Sequence, residues 1–282
     1  MSRRFVVGDI HGRFVALREV LQKSGFDYDN DRLILLGDLV DGGYDAYQVV
    51  EELLKIKNVV FCKGNHDEWF LSHIKSGFQG EIWLSQGGKN TVRSYRGKVE
   101  IDEHVSGGIP VITQDCLIPV THQEFFNRAV PFHVELSKPF EELHDCVQGR
   151  GKIIGLEFSH FIPRCVYCHE IVALPEMWLF VHGGFDARHG KTVFDASFQE
   201  LTWDRDLIEW CREGNAVPHF AKVFVGHTTT QMYGEDVPIR FGNLLMLDTG
   251  AGWNGKLTLM DIDTGKYWQS KTQVPAVRDS HD

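Results

Sequence analysis

Phe5-Val6-Val7-Gly8-Asp9-Ile10-His11-Gly12, near the start of the 282-residue chain, is an apolar run that breaks on glycine into a carboxylate and an imidazole one residue apart. The construction returns twice. Leu33-Ile34-Leu35-Leu36 runs into Gly37-Asp38-Leu39-Val40-Asp41-Gly42, and Val59-Val60-Phe61-Cys62 runs into Lys63-Gly64-Asn65-His66-Asp67. Phe14, Leu17, Val20 and Leu21 follow the first run at helical spacing, and helices are predicted over 46–56 and 68–74 after the other two. Strand, helix, strand, helix, strand implies right-handed crossovers and a largely parallel sheet. In such sheets the loops beyond the carboxyl ends of the strands are where ligands bind. The three polar clusters therefore fall where chemistry is expected.

The last third repeats the pattern with histidine. Trp178-Leu179-Phe180-Val181 leads into His182-Gly183-Gly184, and Lys222-Val223-Phe224-Val225 into Gly226-His227-Thr228. Leu244-Leu245-Met246-Leu247 and Leu257-Thr258-Leu259-Met260 are further strand-like runs between Gly and Asp turns. The two halves together suggest an α/β chain built as a β-sandwich flanked by helices. Residues 97–175 carry Pro110, Pro119, Pro131, Pro139, Pro163 and Pro175 and are expected to form an elaborated insertion. The expected organisation is one domain over 1–270 with a tail at 271–282.

Composition narrows the class. Hydrophobic residues at 43% and charged residues at 24% are near globular averages, which excludes a disordered or coiled-coil chain. Six cysteines at irregular spacing in a chain this long do not make a disulfide framework. The apolar run after Met1-Ser2-Arg3-Arg4 is too short for a secretory signal, and no stretch approaches the ~20 apolar residues of a membrane span. A soluble, cytoplasmic protein without a membrane partner is expected. The formal net charge of −10 repels polyanions, so no nucleic-acid partner is expected. A small phosphorylated substrate stays open, because bound cations reverse the local field.

Five apolar runs thus end in potential ligands: Asp9 with His11, Asp38, Asn65, His182 and His227. Any one alone is commonly a turn aspartate or a hydrogen-bonded histidine. Together they exceed what one tetrahedral ion needs, and the mixture of carboxylate, amide and imidazole suits a pair of divalent ions. Such pairs lie ~3.5–4 Å apart and share a bridging carboxylate.

At these residues the sequence resembles the phosphoprotein phosphatase family of metallophosphoesterases, and it looks closest to the compact bacterial and bacteriophage protein phosphatases. Trp83-Leu84 with Gly87-Gly88, and Leu247-Asp248-Thr249-Gly250-Ala251, resemble that branch as well. The resemblance implies a metallophosphoesterase-type β-sandwich flanked by helices, with an inserted subdomain. It implies that Asp9 and His11 hold a first metal, that Asp38 bridges, and that Asn65, His182 and His227 complete a second. His66 would be the general acid, oriented by Asp41, while a water acidified by the two cations attacks phosphorus. The implied cofactors are two divalent ions, manganese first, with iron or zinc as alternatives. The implied activity is that of a serine/threonine-type protein phosphatase acting on a phosphorylated protein or a small phosphate ester. Symmetrical cleavage of dinucleoside polyphosphates is the alternative, and a non-catalytic metal-binding module is a third reading.

The sequence departs from the family where phosphate is gripped. Relatives carry arginine after the second motif's aspartate, where this chain has Gly42, and often before Gly-Asn-His, where it has Lys63. A third clamp is matched by Arg205 in Trp203-Asp204-Arg205-Asp206. If the place of Gly42 is simply vacant, Gly42→Arg should regain a bidentate contact and lower KM. Arg93, Arg96 and Arg164 are candidate replacements, although a solvated role suits each of them better. Cys165-Val166-Tyr167-Cys168-His169 matches a haem-attachment pattern formally, and with His160 it has the makings of a small zinc site. Ordinary core or turn residues are the expected reading.

Overall fold

The computed structural model describes residues 2–77, 80–96, 118–136, 153–156, 165–168 and 177–272. Strands β1 (Arg4–Val7), β2 (Arg32–Leu35) and β3 (Asn58–Phe61) run parallel, with Val6 beside Ile34 and Ile34 beside Val60. Helices α1 (Phe14–Ser24) and α2 (Ala46–Leu53) are the crossovers between them. Strands β11 (Thr258–Asp261) and β12 (Tyr267–Gln269) extend the sheet on the β1 side, each antiparallel to its neighbour. The order is β12-β11-β1-β2-β3.

A second five-stranded sheet takes the strands of the last third. Its order is β4 (Phe132–Leu136), β7 (Met177–Val181), β8 (Lys222–Val225), β10 (Leu244–Met246) and β9 (Ile239–Phe241). The central three are mutually parallel and the two edge strands antiparallel. Among the described residues, strands β5 (Ile153–Leu156) and β6 (Cys165–Cys168) pair only with each other. His160, Arg164 and His169 lie outside the described residues.

Alternation along the strands builds three apolar layers. Val6, Ile34, Trp178, Phe180, Phe224 and Met260 meet between the sheets, where the rings of Phe180 and Phe224 stack at 4.8 Å. Phe5, Val7, Leu33 and Leu35 face the other way, against α1 and α2. Leu179, Val181, Val223 and Val225 face the helices Phe198–Trp203 and Asp206–Arg212. Strand residues buried on both faces explain why these runs read as continuously apolar.

Two differences from the sequence reading bear on the site. The helix after β3, α3, spans Asn65–Ser76 and starts three residues earlier than the periodicity predicts. Gly64 enters it in an extended conformation, and the Asp67 carboxylate accepts the Gly64 N–H at 2.9 Å. An anion in the first turn satisfies an orphan donor and complements the helix dipole, so the candidate ligand Asn65 itself opens the helix. Part of the expected 97–175 insertion is also built into the fold. Helix α6 (Val120–Asn127) sets Phe125 and Phe126 at 5.4 and 5.7 Å from Phe61, and β4 is an edge strand of the second sheet. No helix among the described residues is long and apolar enough to cross a membrane.

Candidate metal centre and active site

The parallel strands of both sheets end on the same cleft. Asp9 follows β1, Asp38 follows β2, Asn65 follows β3, His182 follows β7 and His227 follows β8. Asp38 is their meeting point. Its Oδ2 lies 3.4 Å from His182 Nε2, 3.6 Å from His11 Nε2 and 4.0 Å from His66 Nε2. His11, Asp38 and His66 offer ligand atoms all within 4.8 Å of one another, and so do Asp38, His182 and His227. Asp9 Oδ2 lies 4.0 Å from the same His11 Nε2, and both Asp9 oxygens accept the His227 N–H. Asn65 Oδ1 stands 3.0 Å from His182 Nε2.

The loops reach this arrangement through unfavourable backbone. His11, Asp38, Asp41 and His227 have φ of +46°, +49°, +69° and +58°, the left-handed region that non-glycine residues seldom occupy. Only His219 shares it among the other described non-glycine residues. Strain of this kind persists where the surroundings over-determine it, and it clusters at functional sites.

Ring orientation and charge make the cluster a fit for cations. His11 Nδ1 faces the Val40 carbonyl at 3.1 Å and His182 Nδ1 the Leu36 carbonyl at 2.8 Å. Each Nδ1 can therefore donate, which leaves Nε2 turned toward Asp38. Burial alone would lower His182, but Asp38 and Asp9 outweigh it and hold it at about 10, so without a cation its Nε2 carries a proton that a bound metal would replace. The buried Nε2 of His227 has no hydrogen-bond partner. Burial draws the His11 imidazole down to about 4 and that of His227 down to about 3, so both are neutral imidazoles at neutral pH. Burial, and then the charge of Asp248, push the Asp9 carboxyl well above its ordinary range. Among the described residues, Asp9 and Asp38 have only histidines as ion-pair partners. Buried carboxylates without a lysine or arginine beside them, facing imidazole nitrogens, fit divalent ions.

His66 packs edge-on to His11, with ring centroids 4.9 Å apart, but differs from the other imidazoles in its Nδ1 partner. Its Nδ1 lies 2.7 Å from Asp41 Oδ2. Burial alone would lower it, but Asp38 and the hydrogen bond to Asp41 outweigh that and hold it above the usual histidine value. Trp69 and Trp203 continue the wall of the cleft, with ring centroids 5.0 Å from His66 to Trp69, 5.3 Å from Trp69 to Trp203 and 5.7 Å from Trp203 to His227.

The expected phosphate grip is thinner than the ligand set. Arg205 is exposed, and its charge is felt at His227. Lys63 is turned to Glu68 at 2.8 Å and lies over the Phe198 ring at 5.0 Å. Arg93 stands on helix α5 (Lys89–Arg96); Arg164 and the side chain of Arg96 are outside the described set.

Sequence reasoning missed several residues that shape the site. Asp67 accepts backbone N–H groups from Asp38, Leu39 and Gly64 at 2.7, 3.0 and 2.9 Å and so ties the second loop to the third. Asp248, buried after β10, stands at a sixth strand end and is the third carboxylate so placed; the run Leu244-Leu245-Met246-Leu247 into Asp248 and Gly250 carried the same signal as the other five. Trp83 Nε1 and Thr91 Oγ1 bind Asp41, and no local pattern pointed to that.

A two-sheet α/β sandwich whose strand ends converge on buried carboxylates and imidazoles is the architecture of a metal-dependent hydrolase. Residues 2–249 match the family described as calcineurin-like phosphoesterase, and the chain belongs to that family. It is 37% identical over 259 residues to the serine/threonine-protein phosphatase 1 of Salmonella typhimurium, covering 92% of this chain and 91% of that one. It is 36% identical over 287 residues to the symmetrical bis(5'-nucleosyl)-tetraphosphatase of Proteus mirabilis, covering 96% and 99%. The crystal structure of a metallophosphoesterase from Sphaerobacter thermophilus matches with a TM-score of 0.50 at 14% identity, over 96% of this chain and 89% of that one, and speaks for the fold alone. The chain is a phosphoric ester hydrolase with candidate ligands for divalent metal.

Proposed function

We propose that the protein hydrolyses phosphomonoesters as a serine/threonine-type protein phosphatase, with two divalent ions, manganese first, in the cleft. Asp9 and His11 would hold one ion, Asn65, His182 and His227 the other, and Asp38 would bridge. Bound there, two cations supply an acidified water and offset charge on the phosphoryl oxygens. The observation that carries the reading is the position of Asp38 Oδ2, 3.4 to 4.0 Å from three imidazole nitrogens on three loops.

The chain's own part is proton delivery and grip. A serine alkoxide is a poor leaving group and needs an acid near neutral pH. His66, tied to Asp41 through Nδ1, presents Nε2 to the cleft and would protonate the departing oxygen. A module that only bound metal would have no use for that pair. Arg205 would hold phosphoryl oxygens, and Lys63 would join only by giving up Glu68. So spare a set of cations suits one phosphoryl group better than a polyphosphate chain. The 36% identity to a dinucleoside tetraphosphatase over nearly the whole of both chains keeps symmetrical dinucleoside polyphosphate cleavage as the second reading.

Manganese-loaded protein assayed on a phosphoserine peptide, a phosphotyrosine peptide, p-nitrophenyl phosphate and a dinucleoside tetraphosphate separates them. The phosphoserine peptide is expected to have a higher kcat/KM than the dinucleotide. The reverse order would transfer the protein to the second reading.

A further inference from the structure

The Asp41–His66 pair does not stand by itself. Asp41 is completely buried and its carboxylate collects three contacts. Oδ2 faces His66 Nδ1 at 2.7 Å and accepts the Trp83 indole N–H at 2.9 Å, while Oδ1 accepts the Thr91 hydroxyl at 2.6 Å. Thr91 Oγ1 also accepts the Asp41 backbone N–H at 2.8 Å. Its own proton must then point to Oδ1, which closes a ring that fixes the aspartate rotamer on a left-handed backbone.

The donor chemistry settles what passes between Asp41 and His66. An indole nitrogen can only donate, so Oδ2 is an acceptor toward Trp83, and Oδ1 is an acceptor toward Thr91. Donors on both oxygens favour the ionised carboxylate, which puts the proton on the His66 side on Nδ1 and leaves Nε2 for the cleft. Trp83 is itself built in. It is fully buried, and the irregular turn after it (Leu84–Gly88) lies so close that a Cβ on Gly87 would fall 2.1 Å from Gly42 N. The turn leads into α5, where Asn90 Nδ2 donates to the Gly42 carbonyl at 2.7 Å and Thr91 follows. Residues 83–91 thus form a brace whose polar atoms end on Asp41 and Gly42.

We infer that Trp83 and Thr91 are positioning residues for proton delivery: through Asp41 they fix the tautomer and aim of His66. This rests on the reading of His66 as the acid. The prediction is specific to the protonation step. Thr91→Val, which keeps shape and removes the hydroxyl, and Trp83→Phe, which keeps an aromatic ring but removes the N–H with part of the indole, should each lower kcat on a phosphoserine peptide by ~10-fold or more. KM should stay within about twofold, and p-nitrophenyl phosphate, whose leaving group needs little protonation, should lose less. Thr91→Ser, which restores the hydroxyl, should recover most of the loss.

A readout without turnover accompanies the kinetics. In zinc-loaded protein, a downfield imidazole N–H proton resonance that disappears in His66→Asn marks the Nδ1–H bond to Asp41. It should shift or broaden in Thr91→Val and Trp83→Phe and return in Thr91→Ser. Equal fractional losses on both substrates with an unmoved resonance would overturn the inference, and so would unchanged kinetics in both variants while His66→Asn collapses turnover of the peptide. If His66→Asn itself leaves peptide turnover intact, the acid role of His66 fails and this inference fails with it.

Discussion

Gly42 occupies the place where relatives present an arginine, and the structure reverses the sign of what the sequence leads one to expect there. Its φ is +73°, and an added Cβ would lie 3.2 Å from the Gly252 carbonyl oxygen and 3.3 Å from the Cβ of His11. The place is bounded by backbone and by the loop of a candidate ligand. A side chain in the left-handed region costs ~1–3 kcal/mol, which for a chain of this size lowers Tm by about 2–8 °C. A regained charge-assisted hydrogen bond to phosphate is worth ~1.5–3 kcal/mol, or roughly 10- to 100-fold in KM. The two do not cancel, because strain is a property of the folded chain, whereas KM reads only what changes on binding. The contact with His11 decides the outcome: the substitution displaces the loop that is to hold the first ion. Gly42→Ala and Gly42→Arg should both lower Tm and weaken metal binding, and Gly42→Arg should bring no fall in KM. Thermal unfolding, metal content and steady-state kinetics on p-nitrophenyl phosphate test the pair. A Gly42→Ala protein with the parent Tm, together with a Gly42→Arg protein whose KM is tenfold lower, would refute the reasoning.

Three further expectations come from residues already placed. Asp38→Ala should abolish turnover and leave fewer than two tightly bound metals per chain; two retained metals with near-normal kcat would remove Asp38 from the bridge. Asp67→Ala orphans three buried N–H groups at ~1–3 kcal/mol each, so denaturant unfolding should show a loss of about 3 kcal/mol or more, and a loss under ~1 kcal/mol would mean the loops do not depend on it. Burial would raise the Glu135 carboxyl, but His133 and Arg32 outweigh it and hold it at about 2 against the ordinary 4.5. Its contribution is therefore present above pH 4.5 and lost as pH falls toward 2, so Glu135→Gln should lower stability at neutral pH and narrow the gap to the parent on acidification. A gap that is constant with pH would deny the linkage.

The site was legible where chemistry depends on residues adjacent in sequence. Asp9 with His11, and Asn65 with His66, announce themselves because each follows an apolar run and a glycine. Partners brought from a distance were not. Trp83 and Thr91 lie 42 and 50 residues from Asp41, and nothing local marks a tryptophan as a donor to a carboxylate. The rotation of Lys63 toward Glu68 was equally hidden, because it depends on how α3 leaves β3. The parallel start of the first sheet followed from the order of runs and helices, but the division of strands between two sheets did not. Runs buried on both faces, such as Leu33-Ile34-Leu35-Leu36, carry no period to say which neighbour lies on which side. The short edge strands β9 and β12 have no buried residue and are too brief to stand out. Left-handed backbone at the candidate ligands could not be foreseen either, since His11 and His227 carry no conformational signature in their identity.

These left-handed loops and crowded carboxylates imply that the cleft is built for its ions at the expense of the bare fold, and Asp9 shows how to test this. Burial, and next the neighbouring Asp248, raise its carboxyl well above the ordinary range, while burial raises Asp248 itself to about 6. Near neutral pH an ionised Asp9 therefore costs the metal-free protein stability, because a group with a raised pKa is worse off charged in the fold than in the open chain. Asp9→Asn removes that charge and keeps an oxygen for the His227 N–H. The metal-free variant should melt above the metal-free parent, and the rise in Tm expected when manganese is added to the parent should shrink or vanish in the variant, since only binding to the folded form stabilises it. The two effects have opposite signs, which a merely damaged fold cannot produce. A metal-free Asp9→Asn protein that melts below its parent, yet keeps the full metal-induced rise, would show that Asp9 serves the fold and not the ions.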